Sequence, residues 1–256
     1  VTPGCVIDKE AQNRATSVYL VDRTIPMLPE HLSNGICSLR PDEEKLTFSA
    51  IFEMDAQANV VNSRIGRTVI RSDRRFTYEE AQQRIETGEG DFATEINVLN
   101  GLAKQLRKRR YDNGALEFDR AEVRFDIDET GRPISVYFKE SKDANKLIEE
   151  FMLLANIAVA EKIGKVPPRK KAKTFVYRVH DTPDADKLSN LSSIASRFGF
   201  KINAEGRSTE VNKSLNRMLR DVKGRGEETM LSMLAIRSMA KAVYTTANVG
   251  HYGLAV

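Results

Sequence analysis

Hydrolytic chemistry needs a nucleophile with its base, a metal with its ligands, or a cradle for phosphate, and few residues here could supply any of them. His31, His180 and His251 are the only histidines in 256 residues. None lies in an HExxH pair or beside paired cysteines, and neither a G-x-S-x-G turn nor a glycine-rich phosphate loop occurs. Cys5 and Cys37 form no CxxC and are too few for a disulfide framework, which suits a reducing cytosol. The densest acidic group is Glu117, Asp119, Glu122, Asp126, Asp128 and Glu129. Glu117 and Asp119 alternate with Leu116 and Phe118, and Asp126 and Asp128 alternate with Val123, Phe125 and Ile127. That period of two describes half-buried strands with a solvated outer side, and it is favoured over a metal site. On spacing alone the sequence names no reaction.

Cations are the other candidates. The net charge of +4 permits a polyanionic partner without requiring one. Lys104, Arg107, Lys108, Arg109 and Arg110 form one cluster, and Arg169, Lys170, Lys171 and Lys173 another. Either alone is better read as a solvated helix end or a basic loop; together they raise the expectation of a phosphate-binding surface. With 41% hydrophobic and 30% charged residues the chain can bury a core. No apolar run approaches the roughly 20 residues of a membrane span, and no signal-peptide pattern opens the sequence. A cytoplasmic protein without membrane attachment is expected.

The elements that position these residues follow from periodicity. A short helix is expected near Asp8 to Arg14, a strand over Ser17 to Val21, and turns through Pro26, Pro29 and Asn34-Gly35. Leu46 to Met54 and Val60 to Arg71 read as paired strands, with Leu46, Phe48, Ala50 and Phe52 on one face. Thr77-Tyr78-Glu79-Glu80 fits a capping box, placing a helix N-cap at Thr77. A second helix runs from Phe92 to Arg110, its basic end favoured by the helix dipole. Strands follow at Leu116 to Arg120, Val123 to Asp128 and Ile134 to Phe138. The most apolar helix, Asp143 to Ile163, is the expected central one. A strand at Phe175 to Val179 and helices over Asp184 to Phe198, Glu210 to Val222 and Glu227 to Thr245 complete the chain. The order is α+β, a mixed or antiparallel sheet packed with helices.

Three stretches carry a resemblance. The first is Asp8-x-Glu10-Ala11 with Arg14, Thr16-Ser17-Val18-Tyr19-Leu20, Ile25-Pro26-Met27-Leu28-Pro29-Glu30, and Leu32-Ser33-Asn34 through Cys37-Ser38-Leu39. The second is Leu147-Ile148-Glu149-Glu150-x-Met152-Leu153-Leu154-Ala155-Asn156. The third is Val179-His180-Asp181-x-Pro183, echoed by Arg237-Ser238-Met239 and Gly250-His251-Tyr252-Gly253-Leu254-Ala255. In this order they resemble the RNB catalytic domain of the ribonuclease II and ribonuclease R family.

That resemblance implies an RNB-like fold and 3′-to-5′ degradation of single-stranded RNA to nucleoside 5′-monophosphates. It also implies a cluster of aspartates holding divalent metal, normally Mg2+, which activates water and stabilises the leaving oxygen. In the family those aspartates precede the segment resembling Val1-Thr2-Pro3-Gly4. A phosphate-stabilising arginine segment follows the one resembling Gly250 to Ala255. No residue of this chain is therefore assigned to catalysis or to metal. Residues 1–256 read as the central part of a single RNB-like catalytic domain, truncated at both ends and inactive alone. Three positions match RNA contacts of the family. Tyr78 resembles a tyrosine near the 3′-terminal nucleotide, Phe118 a phenylalanine that stacks on a base, and Glu149 a glutamate that contacts ribose and selects RNA over DNA. Their ordinary readings stay open: a partly exposed aromatic, a core residue, and a structural ion pair. A paralogue that kept the RNA channel but not the metal site is the alternative for the whole protein.

Overall fold

The computed structural model describes residues 1–116, 122–165, 173–206 and 208–251. They fall into two compact units: Val1–Ile51 with Ser63–Asp91 and Ala121–Ala144, and Phe52–Asn62 with Phe92–Arg120 and Asn145–Val256. The α+β expectation holds, with the strands forming four separate two-stranded sheets among the described residues.

In the first unit, α1 (Val6–Arg14) leads into β1 (Val18–Tyr19), antiparallel to β2 (Thr24–Ile25). A π-helical turn, His31–Ile36, occupies the Asn34-Gly35 region. β3 (Glu44–Met54) and β4 (Val60–Arg71), whose turn and adjoining ends (Phe52–Asn62) fall in the second unit, pair through a tight turn where Asp55 Oδ1 accepts from the amides of Gln57 and Asn59. The expected apolar face of β3 is divided: Ala50 and Phe52 are half-buried, but its first half faces outward. Leu46 and Phe48 are exposed, whereas the inner face carries a hydroxyl chain, Thr47 to Thr68 at 2.7 Å and Thr68 to Ser49 at 2.6 Å. α2 (Tyr78–Thr87) starts as its capping box dictates: Thr77 Oγ1 accepts from Glu80 N at 3.1 Å, and Glu80 Oε2 accepts from Thr77 N at 2.8 Å. β5 (Glu122–Ile127) and β6 (Pro133–Lys139) form an antiparallel hairpin turned by Asp128. Val123, Phe125 and Ile127 are exposed, so the half-buried face expected of this strand is open.

The second unit holds the core. α5 (Ala185–Arg197) is capped by Asp184, whose Oδ1 accepts from Lys187 N at 3.1 Å. It packs with α6 (Ser208–Asp221) and α7 (Glu228–Ser238). Leu188, Leu191 and Ala195 from α5, Val211, Leu215 and Met218 from α6, and Leu231 and Ala235 from α7 make one buried cluster. Their three- and four-residue spacings put each set on one helix face. α4 (Asp143–Gly164), expected at the centre, contributes none of them. It is apolar almost all round, so hydrophobicity marks no single inward face; Ala144, Leu147 and Glu150 are its buried residues. α7 ends at Ser238, short of the helix expected to Thr245. Val243–Thr245 instead form β8, antiparallel to β7 (Tyr177–Val179), because β-branched and aromatic residues there complete a ladder with a distant strand. α3 (Ala93–Asp112) is capped by Asn113 and followed by Gly114, whose φ is +96°. A Cβ at Gly114 would lie 2.9 Å from Thr209 Cγ2, so the close approach to α6 requires glycine. Asn212 and Asn216 of α6 fix this corner by donating to the carbonyls of Gly114 and Ala115.

Candidate RNA-contact residues

Tyr78 is the first residue of α2, in the first unit. Its ring is 43% exposed and carries Lys139 Nζ at 5.7 Å from the centroid; the same ammonium lies 3.8 Å from Glu79. The helix start is braced from outside. Arg74 bonds Glu80 and Asp91, both at 2.9 Å, while Arg84 reaches Asp91 at 2.5 Å and both guanidiniums lie over Phe76. Arg84, joined by Arg74, holds the Asp91 carboxyl down at about 2. Tyr78 thus presents a partly exposed ring at a helix N-terminus braced by ion pairs. Phe118 lies outside the described residues.

Glu149 belongs to the second unit, on α4 beside the end of α3. Glu150 is 3% exposed, while the neighbouring Glu149 side chain is 49% exposed. Arg110 of α3 joins the two. Its Nη2 makes a short bond to Glu150 Oε1, its Nε reaches Glu150 Oε2 at 3.3 Å, and Nη2 also reaches Glu149 Oε1 at 3.3 Å. Burial alone would depress the Arg110 pKa, but the Glu150 bond, with Tyr111 and Glu149, more than offsets this and raises it above its ordinary value. Arg107 lies 4.0 Å from Glu149 Oε2, and both guanidiniums stack on Tyr111. The ion-pair reading of Glu149 is therefore realised, yet half its side chain still faces solvent.

The first basic cluster is mostly committed to the protein. Arg109 donates to the carbonyls of Gln57 and Ala58 and to Asn59 Oδ1, which clamps the hairpin turn to α3. Lys108 pairs with Asp112 at 2.6 Å, and Arg107 and Arg110 hold the glutamates. Of the second cluster, Lys173 alone lies within the described residues. Among the acids, Asp126 accepts from Ser135 and Asp128 closes its turn. Among the described residues no three His, Cys, Asp or Glu side chains group as metal ligands.

The two histidine-bearing stretches, far apart in sequence, meet in the fold. His180 N donates to Gly250 O at 3.1 Å, and the His180 and His251 rings stand edge to face with centroids 4.0 Å apart. Arg178 Nη1 lies 3.3 Å from His251 Nε2, and Asp184 N donates to Ser238 O. Burial, with His180 and Arg178 nearby, lowers His251 to about 4; burial and Arg178 lower His180 as well. Gly114, Asn212 and both histidines line a cavity of about 250 Å³. Periodicity gave no signal for this pairing, which rests on contacts between residues some seventy positions apart.

The chain belongs to the RNB domain family, whose profile matches residues 1–256. It is 37% identical over 265 residues to ribonuclease R 1 of Lactococcus lactis, covering all of this chain and 31% of that protein. Its fold matches RNase R of Mycoplasma genitalium, solved in complex with ribose-methylated single-stranded RNA, with a TM-score of 0.86 at 24% identity over 100% of this chain and 40% of that one. It also matches yeast Ssd1, described as a pseudonuclease, with a TM-score of 0.74 at 19% identity over 100% of this chain and 31% of that one. The chain spans about a third of the length of the L. lactis relative.

Proposed function

We propose that residues 1–256 are the central part of a single RNB catalytic domain in a cytoplasmic 3′-to-5′ exoribonuclease. It degrades single-stranded RNA to nucleoside 5′-monophosphates. The observation that carries this reading is the RNB match over the whole chain, together with the ribonuclease relative that covers it end to end. Mg2+ would activate water and stabilise the leaving oxygen, held by aspartates outside these residues. This chain's part is to hold the strand: Tyr78 and Phe118 contact bases near the 3′ end, and Glu149 accepts from a ribose hydroxyl. The exposed ring of Tyr78 and half-exposed carboxylate of Glu149 support those roles.

A second reading, an RNA-binding protein without hydrolysis, is favoured by the match to a pseudonuclease. Full-length protein incubated with 3′-extended, 5′-labelled RNA and magnesium separates the two. Stepwise shortening to mononucleotides, abolished by chelation, is expected; tight binding without shortening would establish the second reading instead.

A further inference from the structure

Glu150 is a buried carboxylate, one position from the glutamate read as the ribose contact, and strand-holding as described gives it no part. An isolated buried carboxylate is costly, and here its compensation is Arg110. The guanidinium uses two nitrogens on Glu150, which fixes its plane, and shares one of them with Glu149 Oε1 at 3.3 Å. Tyr111 supports that plane from its ring face, 4.9 Å from Arg110 Cζ. A half-exposed glutamate left to itself samples several rotamers, and a ligand must freeze them on binding. Glu149 is not left to itself: one oxygen is tethered, and the other, Oε2, is 4.0 Å from Arg107.

Charge points the same way. Arg107 and Arg110 balance Glu149 and Glu150, so the cluster offers a hydrogen-bond acceptor without a net negative charge to repel phosphates.

We propose that Arg110 and Glu150 are positioning residues that hold the Glu149 carboxylate for a ribose 2′-hydroxyl, so that buried Glu150 helps set the choice of RNA over DNA without touching the substrate. This rests on the reading of Glu149 given above. A planar guanidinium can bridge two carboxylates in this way, and an ammonium cannot.

The experiment compares kcat/KM for substrates ending in ribonucleotides or deoxyribonucleotides, using full-length protein and its Glu149→Gln, Glu150→Gln and Arg110→Lys variants. Glu149→Gln should lower the RNA-to-DNA ratio by about ten- to a hundredfold. Glu150→Gln and Arg110→Lys should each lower it by about tenfold, and Glu149→Gln/Glu150→Gln should lose no more than Glu149→Gln alone. KM for DNA should not rise in Glu150→Gln, since that variant leaves the cluster more positive. Damage to the fold would instead depress both substrates together and add in the double variant. A ratio that falls for Glu149→Gln but holds for Glu150→Gln and Arg110→Lys overturns the positioning role and leaves Glu149 standing. A ratio unchanged in Glu149→Gln overturns the reading of Glu149 and this proposal with it. Should the Glu150 and Arg110 variants not fold, an RNA-bound structure of the unaltered protein decides: Glu149 bonded to both Arg110 and the 2′-hydroxyl upholds the proposal, and a carboxylate swung away from Arg110 refutes it.

Discussion

The two units are built on different physics. In the second, the cluster on α5, α6 and α7 contains Leu191, Leu215, Met218 and Leu231, each at most 1% exposed. In the first, Ala144 alone is buried among the described residues, and polar contacts do the organising. These are the Arg74–Glu80–Asp91–Arg84 network, the Thr47–Thr68–Ser49 chain and the turn made by Asp128. Apolar burial is non-directional and holds no charge to be screened, whereas exposed ion pairs weaken as ionic strength rises. The first unit is the more easily disturbed by added salt, and it carries Tyr78. The second carries Glu149, tethered to Arg110 of α3.

That contrast can be broken by substitution. Leu215→Ala removes a fully buried side chain and should destabilise the second unit by about 2–5 kcal/mol in denaturant unfolding. Phe48→Ala, at a 72% exposed position, should cost less than about 0.5 kcal/mol. Equal losses would mean that the outer face of β3 is covered in solution.

Acid sharpens the comparison, because the groups involved titrate in separate windows. His251 is depressed from 6.5 to about 4, so the unfolded chain binds its proton first. Its contribution is present above pH 6.5 and is lost as pH falls toward 4. Asp91 is depressed from 3.8 to about 2, so its contribution is present above pH 3.8 and is lost toward 2. Hydrogen exchange across a pH series should therefore loosen residues 177–180 and 243–251 before residues 74–91. Simultaneous loosening would show that the histidine pair does not hold the β7–β8 closure. A local effect remains: Thr77→Ala deletes one half of the capping box and should cost about 1 kcal/mol, read as a lower melting temperature. No change would show that the external arginine network, not the cap, sets the helix start.

What sequence revealed divides along the same line of locality. The capping box at Thr77, the bounds of β4 and the basic end of α3 were legible because each is written in neighbouring residues. The placement of Glu149 and Glu150 was not. On a helix apolar nearly all round, periodicity cannot say which carboxylate turns inward; the answer lies in Arg110, some forty positions away. The end of α7 was missed for the same reason, since Val243–Thr245 become a strand only beside β7. Family resemblance drew attention to Tyr78 and Glu149, which no pattern in the residues would have done.

The corner at Gly114 bears on how the second unit assembles. Asn212 and Asn216 reach carbonyls 98 and 101 positions earlier in the chain. Closing a loop of that length costs about 4 kcal/mol of chain entropy, whereas the contacts among α5, α6 and α7 span far shorter loops. The three-helix core can form first and present α6 as a finished surface, onto which α3 docks through two carboxamides and a glycine. The slow step in folding this unit is then the arrival of α3 on α6, whereas the Arg110–Glu150 bridge closes a loop of only 40 positions and does not wait for it.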